Sequence, residues 1–322
     1  MKYALKKRWL LGAVLGLALA AVGSASPAAA ASSSSNRTFI LIRHGLPSDS
    51  FWQPVQKGFT EAGKLYGDKT IFEATGNVPA KEAQAIDAAI AQKVNGIVVT
   101  LPDAGAEGPA IKRAVAAGIP VITINSGSTT FLSAGSLAHV GQDEEIAGEG
   151  AGARLKQAGA KHLLCVIHQQ GNLALEARCN GAKKTFGGRV DDLYVPGTND
   201  GSATESTIKA ALLRDRSYDA VLTLDPDISQ FAKDAIAAAH STARLATFDL
   251  SDAVLRDIKN GKILFAVNQQ PYLQGYLPVV LLQMYLDNGL LAGGGKPILT
   301  GPSFVDQKNV DEISACVKRG DC

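Results

Sequence analysis

The chain has 322 residues, of which 46 % are hydrophobic, 6 % aromatic and 19 % charged, with a formal net charge of +2. That length holds one large domain or two ordinary ones. Sparse aromatics with abundant Ala and Gly fit helices lying close on sheets, and the absence of a Lys/Arg-rich run argues against nucleic acid as a partner.

Residues 1–31 differ in kind from the rest. Lys2, Lys6, Lys7 and Arg8 precede the uncharged run WLLGAVLGLALAAVG, and small residues follow, which is the three-part pattern of a secretory signal peptide. The apolar run is short for a membrane span, so export and removal are expected, with cleavage between Ala28 and Ser32. No Cys stands there to take a lipid. The leader carries four basic and no acidic residues, so its loss turns the net charge of +2 into −2.

Strands and helices alternate through the mature chain. TFILIR (38–43) reads as a strand, 51–66 as a helix, KTIFEAT as a strand, and PAKEAQAIDAAIAQKV as a helix with Pro79 in its first turn. GIVVT, a helix over 106–117, IPVITIN, LAHVG and a helix over 143–158 follow. The cycle then restarts: KHLLCVIH, helix 172–186, VDDLYVP, helix 202–213, YDAVLTL, helix 227–239, ARLATFD, helix 252–259, ILFAVNQ, helix 272–288 and the strand-like PSFVD. LAGGGKP reads as a loop. The alternation predicts an α/β protein with parallel sheets and right-handed crossovers. There are too many strands for one sheet, and the restart near 142 predicts two similar lobes.

Four cysteines, Cys165, Cys179, Cys316 and Cys322, lie in the second half. An exported chain with an even count reads as disulfide-bonded, although four Cys allow three pairings and buried free thiols are the alternative. Neighbour pairing is expected: Cys316–Cys322 would staple the tail, and Cys165 on a strand stands level with Cys179 on the returning helix. Closing that 15-residue loop is worth about 3 kcal/mol in the chain-entropy view. No CxxC or HxxxH spacing supports zinc.

Ligands of open parallel sheets sit beyond the carboxyl ends of the strands. There the chain places His44, the loop GLPSDSFW, Asn125, His168, Asp225, Asp249 and Gln269. LIRHG at 41–45 also opens histidine phosphatases, and GFTEAGKL extends the mimicry. Such an enzyme needs a second catalytic His and further Arg at the phosphate. His139, His162, His168 and His240 provide no such pair, and Thr60, Glu61 and Lys64 read as the wet face of a helix. The aromatics of SDSFW instead fit a sugar, whose C–H faces dock on flat rings while polar groups bind hydroxyls; core packing is the plainer role for the same rings.

In order and length the segments SDSFWQPVQKGFTEAGK, GIVVTLPDAGAEGPAIKRAVAAGIPVITINS, HVGQDEEIAGEGAG, EARCNGAKK, DAVLTLDPDISQFAKDAI, LATFDLSD and ILFAVNQQPYLQG resemble the type I periplasmic solute-binding proteins of sugar ABC transporters. This ribose/galactose-binding group shares its fold with the ligand domain of LacI-type repressors. The resemblance spans nearly all of residues 37–317. It implies two Rossmann-like lobes joined by a hinge, 37–141 with 270–298 and 142–269 with 299–322. It implies ligand contacts at Asp49, Phe51, Trp52, Asn125, Arg178, Asp225, Asp249 and Gln269; His44, His168 and Asn172 are secondary candidates, Asn172 being equally suited to capping its helix. SDS stands in place of the usual Asn-Pro, and Asn125 in place of Asp.

The function implied is binding without catalysis: a monomeric periplasmic protein that closes on a neutral sugar or sugar alcohol and docks on a membrane permease, with a chemoreceptor as a further compatible partner. One Arg against three Asp argues against an anionic ligand. No cofactor or metal is expected, and an export signal stands where a repressor would carry its DNA-binding helices. Trp52 and Arg178 are expected to line a wet cleft and to be removable without unfolding.

Overall fold

The computed structural model describes residues 36–322, so the expected leader lies outside the described residues. The first half runs β1 (Thr38–Arg43), α1 (Trp52–Tyr66), β2 (Lys69–Ala74), α2 (Pro79–Ala91), β3 (Gly96–Thr100), α3 (Ala104–Ala116), β4 (Val121–Ile124), α4 (Phe131–Ala134) and β5 (Ala138–Gln142). After α5 (Glu144–Gln157) come β6 (His162–Ile167), α6 (Leu173–Phe186), β7 (Arg189–Tyr194), α7 (Gly201–Arg214), β8 (Ala220–Thr223), α8 (Pro226–Ala238), β9 (Arg244–Phe248), α9 (Asp252–Lys259) and β10 (Ile263–Asn268). The chain ends with α10 (Pro271–Asn288), β11 (Ile298–Gly301), β12 (Ser303–Asp306) and α11 (Val310–Arg319).

The strands form two six-stranded sheets, ordered β11-β5-β4-β3-β1-β2 and β12-β10-β9-β8-β6-β7. The β10–β12 pair is antiparallel, and the other ladders of both sheets are parallel. This is the expected α/β architecture. Central strands are buried along most of their length and mainly apolar because helices cover both faces. Along β1, Phe39 and Leu41 enter one hydrophobic cluster while Ile40 and Ile42 enter the other, as the two-residue period of a strand requires. The edge strands β2 and β7 are only half-buried and carry the polar residues.

The sequence reading contained no α4, β11 or α11. The chain stays with the first sheet through β11, which crosses the expected boundary at 298/299, and changes sheets at Gly301-Pro302. Helix α11 docks beside α9 and β12, and Asp321 beyond it forms a salt bridge with Lys57 of α1 at 2.8 Å.

Both expected disulfides are present, Cys165–Cys179 with Cα atoms 6.0 Å apart and Cys316–Cys322 with 5.5 Å. The first ties β6 to α6. Helix α5 lies beside α6 on the same sheet face, so close that a Cβ on Gly148 would collide with the carbonyl oxygen of Arg178. The same holds between α1 and α10, where a Cβ on Gly275 would strike the carbonyl of Val55. Glycine at such contacts lets two backbones approach, which accounts for the small-residue composition.

Candidate functional site

The two sheets present equivalent strand ends to each other. His44 follows β1 and His168 follows β6. Asn125 follows β4 and Asp249 follows β9, and each of these two has a left-handed backbone, φ 60° and 67°. Asn and Asp tolerate that conformation better than other non-glycine residues. Their amides make matching bonds, Asn125 N to Val140 O at 3.1 Å and Asp249 N to Val267 O at 2.7 Å. The turn out of each strand therefore aims an amide or a carboxylate at the gap between the sheets.

All eleven residues singled out in the sequence line one cavity: His44, Asp49, Phe51, Trp52, Asn125, His168, Asn172, Arg178, Asp225, Asp249 and Gln269. Gly45, Asn77, Ser126, Gln169, Thr198 and Leu224 also line it and were not singled out. Asn77 sits after β2 with φ 60° and accepts from Gly45 N at 2.6 Å, a strand-end signal that the alternating pattern did contain. Thr198 has no local signal, since it reaches the cavity from the turn before α7.

Phe51 and Trp52 are 7 % and 4 % exposed and belong to the core cluster of Phe39, Val55 and Phe59 as well as to the cavity wall. The Trp52 ring meets Phe51 edge-on at 4.9 Å and His44 at 5.0 Å. Asn172 caps α6 by accepting from Ala174 N at 3.0 Å and still lines the cavity.

Arg178 is the one permanent cation on the wall among the described residues. Its Nε and Nη2 donate to Glu144 Oε2 and Oε1 at 2.5 and 3.1 Å, its Nη1 donates to Leu224 O at 3.0 Å, and Asp249 Oδ2 stands 3.8 Å from Nη1. Phe248 lies under the guanidinium at 4.5 Å. Glu144 also accepts from Gln142 Nε2 at 2.8 Å. Gln269 donates to Asp249 at 2.8 Å and accepts from Asn125 Nδ2 at 3.1 Å, which bridges the two sheets. At the mouth, Thr198 Oγ1 donates to Asp49 at 2.7 Å, and Ser50 Oγ donates to Asp227 at 2.9 Å.

Burial dominates the electrostatics. It pushes the His44 and His168 pKa values down to about 3, with nearby Arg43 and Arg178 acting in the same direction, so both rings are neutral. Burial raises Asp225 well above the usual range and Asp249 to about 7, although Arg178 and Gln269 pull the latter back. Burial likewise raises Glu144 against the pull of Arg178. It opposes the charge of Arg178 too, but Glu144, Asp249 and Asp225 outweigh it and the guanidinium pKa is raised. The Nδ1 atoms of His44 and His168 are buried without a protein partner. Arg43, the other half of the RHG motif, donates Nη1 to the carbonyls of His44 and Leu46 at 3.0 and 2.7 Å. It thus holds the loop, where a phosphatase would use it on phosphate.

Beneath the cavity His44 N donates to Thr100 Oγ1 at 3.0 Å, and Thr100 donates to Glu82 Oε1 at 2.5 Å. Glu82 and Glu107 are both buried and meet each other; Glu82 Oε2 and Glu107 Oε1 have no other protein partner. Two carboxyls in contact need a shared proton. Burial first, then their mutual repulsion at Glu107, pushes the pair above the ordinary carboxyl range, against the pull of Thr100 and Arg43 on Glu82. A raised acid contributes its stability below the unfolded value near 4.5 and loses it as pH rises towards the folded value. Glu82→Gln mimics the protonated acid. It is expected to raise the melting temperature at pH 8, by an amount equivalent to about 1–3 kcal/mol, and to change little at pH 4.5. Thermal unfolding against pH checks this; a wild-type slope in the variant would refute the shared proton.

Two six-stranded α/β sheets enclosing a small polar cavity at their facing strand ends form the type I periplasmic-binding-protein fold. The sequence model of the periplasmic binding protein domain matches residues 39–290, and the chain belongs to that family. It is 42 % identical to a carbohydrate transporter from Acidothermus cellulolyticus solved with myo-inositol, with a TM-score of 0.87 over 89 % of this chain and 100 % of the other. It is 26 % identical to the xylose/arabinose-binding protein XylF of Sulfolobus acidocaldarius over 301 residues, 84 % of this chain and 71 % of the relative. An Agrobacterium vitis solute-binding protein bound to α-D-tagatopyranose shares the fold at 24 % identity and a TM-score of 0.76, over 88 % of this chain and 98 % of the other.

Proposed function

We propose that the chain is the extracytoplasmic solute-binding component of an ABC importer, holding a neutral sugar or cyclic polyol without transforming it. The observation that supports this best is the donor and acceptor set around the cavity: planar carboxylates and amides from Asp49, Asn125, Asp225, Asp249 and Gln269, guanidinium protons from Arg178, and a wall of Phe51 and Trp52. Such groups match vicinal hydroxyls above an apolar ring face. The His44 and His168 nitrogens that lack a protein partner would gain one from a hydroxyl. The 42 % identical relative holds myo-inositol, a ring of this kind. One lobe comprises 37–141 with 270–298 and the other 142–269 with 299–322, with β11 (Ile298–Gly301) assigned to the first because it pairs with β5. The bonds from Thr198 to Asp49 and from Ser50 to Asp227 belong to the closed form, and closure presents both lobes to the permease.

A thermal-shift panel of inositols, pentoses, hexoses and pentitols tests the reading, because a ligand of the folded state alone raises the melting temperature. At a ligand concentration of about 100 Kd the stabilisation is about 2.7 kcal/mol. A flat response across the panel, confirmed by calorimetry, would reject it.

A further inference from the structure

Glu144 opens α5, directly after the strand that leaves the first sheet, and is 4 % exposed. It does not line the cavity, yet both its oxygens are spent on Arg178, which does. The two residues are 34 apart in sequence and meet because Gly148 and Gly181 let α5 and α6 touch. Arg178 is held from four directions: by Glu144, by Leu224 O, by the Phe248 ring and, at 3.8 Å, by Asp249. Its charge is thus answered from behind the cavity wall. An ion pair in a dry interior interacts far more strongly than one in water, so the presence or loss of that counter-charge is felt by anything placed against Arg178.

We propose that Glu144 is a specificity-determining residue: by cancelling the charge of Arg178 on the cavity wall it makes the site accept uncharged polyols and refuse their carboxylate counterparts. This rests on the polyol-binding reading above. An uncompensated Arg178 would offer a carboxylate a two-pronged partner; a compensated one has its Nε–Nη2 fork already taken by Glu144 and no net charge left to offer. Glu144 acts through Arg178 and touches no ligand.

The test compares affinities for myo-inositol and D-glucuronate by calorimetry in wild type, Glu144→Gln and Glu144→Asp. Wild type should take myo-inositol and refuse glucuronate. Glu144→Gln, which keeps the volume and drops the charge, should shift the glucuronate-to-inositol affinity ratio by about tenfold or more towards glucuronate. Glu144→Asp keeps the charge on a shorter stem, so it should weaken inositol binding while still refusing glucuronate. An unchanged ratio in folded Glu144→Gln overturns the role of Glu144 and leaves the polyol reading intact. Admission of glucuronate by Glu144→Asp overturns it as well, whether or not the Gln variant folds. A wild type that binds neither inositol nor any other neutral polyol or sugar overturns the polyol reading and this proposal together.

Discussion

Arg178→Ala is expected to weaken ligand binding roughly ten- to a hundredfold and to lower the melting temperature of the unliganded protein. The sequence alone leads one to expect only the first effect, since an Arg in a wet cleft can be removed without harm to the fold. The structure places this Arg at 3 % exposure with a bidentate partner. Its loss deletes the charged donors facing the ligand, and one hydrogen bond to a charged group is worth about 1.5–3 kcal/mol, or roughly ten- to a hundredfold in affinity. It also leaves Glu144 as a buried carboxylate without a cation, and breaking a buried pair in this way costs about 3–5 kcal/mol. The sign of the pH dependence follows. Burial already raises the pKa of Glu144 against the pull of Arg178, so the variant's Glu144 rises further. The variant's deficit should therefore be largest at alkaline pH and shrink as acid protonates the group. Arg178→Lys restores a charge without the planar fork and should recover stability better than affinity. Calorimetric titration and thermal melts at several pH values decide; wild-type affinity in a folded Arg178→Ala would remove the cavity between the sheets as the binding site.

Trp52→Ala is expected to cost about 3–5 kcal/mol of stability, the range for deleting a buried Trp, in addition to weakening binding. Its ring is part of the core shared by β1 and α1 and touches Phe51, His44 and the Arg43 guanidinium, the last at 5.1 Å from the ring centroid. The loss should thus loosen the 43–51 loop that carries Asp49. Trp52→Phe keeps an aromatic wall and most of the volume, so it should fold like wild type and lose less affinity than Trp52→Ala. Urea unfolding of the unliganded variants measures the first effect and titration the second. A Trp52→Ala protein as stable as wild type would show that the ring only faces the ligand, as the sequence reading allows, and supports nothing else.

Two of the three elements that escaped the sequence reading share a character. Strand β11 is four residues at a sheet edge, with Leu299 outward at 57 % exposure. Helix α4 is a single turn, and α11 has one fully buried residue, Val310. The first two bury too little apolar surface to leave a period in the sequence, whereas α11 carries one, Val310, Ile313 and Val317 against the core, that the reading passed over, and a disulfide to Cys322 helps hold it in place. The two disulfides were legible because each joins cysteines that are neighbours in the chain, and for Cys165–Cys179 the rise per residue of strand and helix sets the two at one level.

The sequence by itself determined the alternation of strands and helices, and with it the strand ends where His44, Asn125, His168, Asp249 and Gln269 stand. Strand and helix periods are local, and in a parallel sheet every strand end falls on the same side. Only the tertiary structure decided what those groups touch. Glu144 behind Arg178, Thr198 on Asp49, Asp227 on Ser50 and the Glu82–Glu107 pair under the floor join residues 25 to 177 positions apart. Such pairs depend on how closely glycine lets two helices approach and on how the facing sheets meet, and neither leaves a spacing that can be read along the chain.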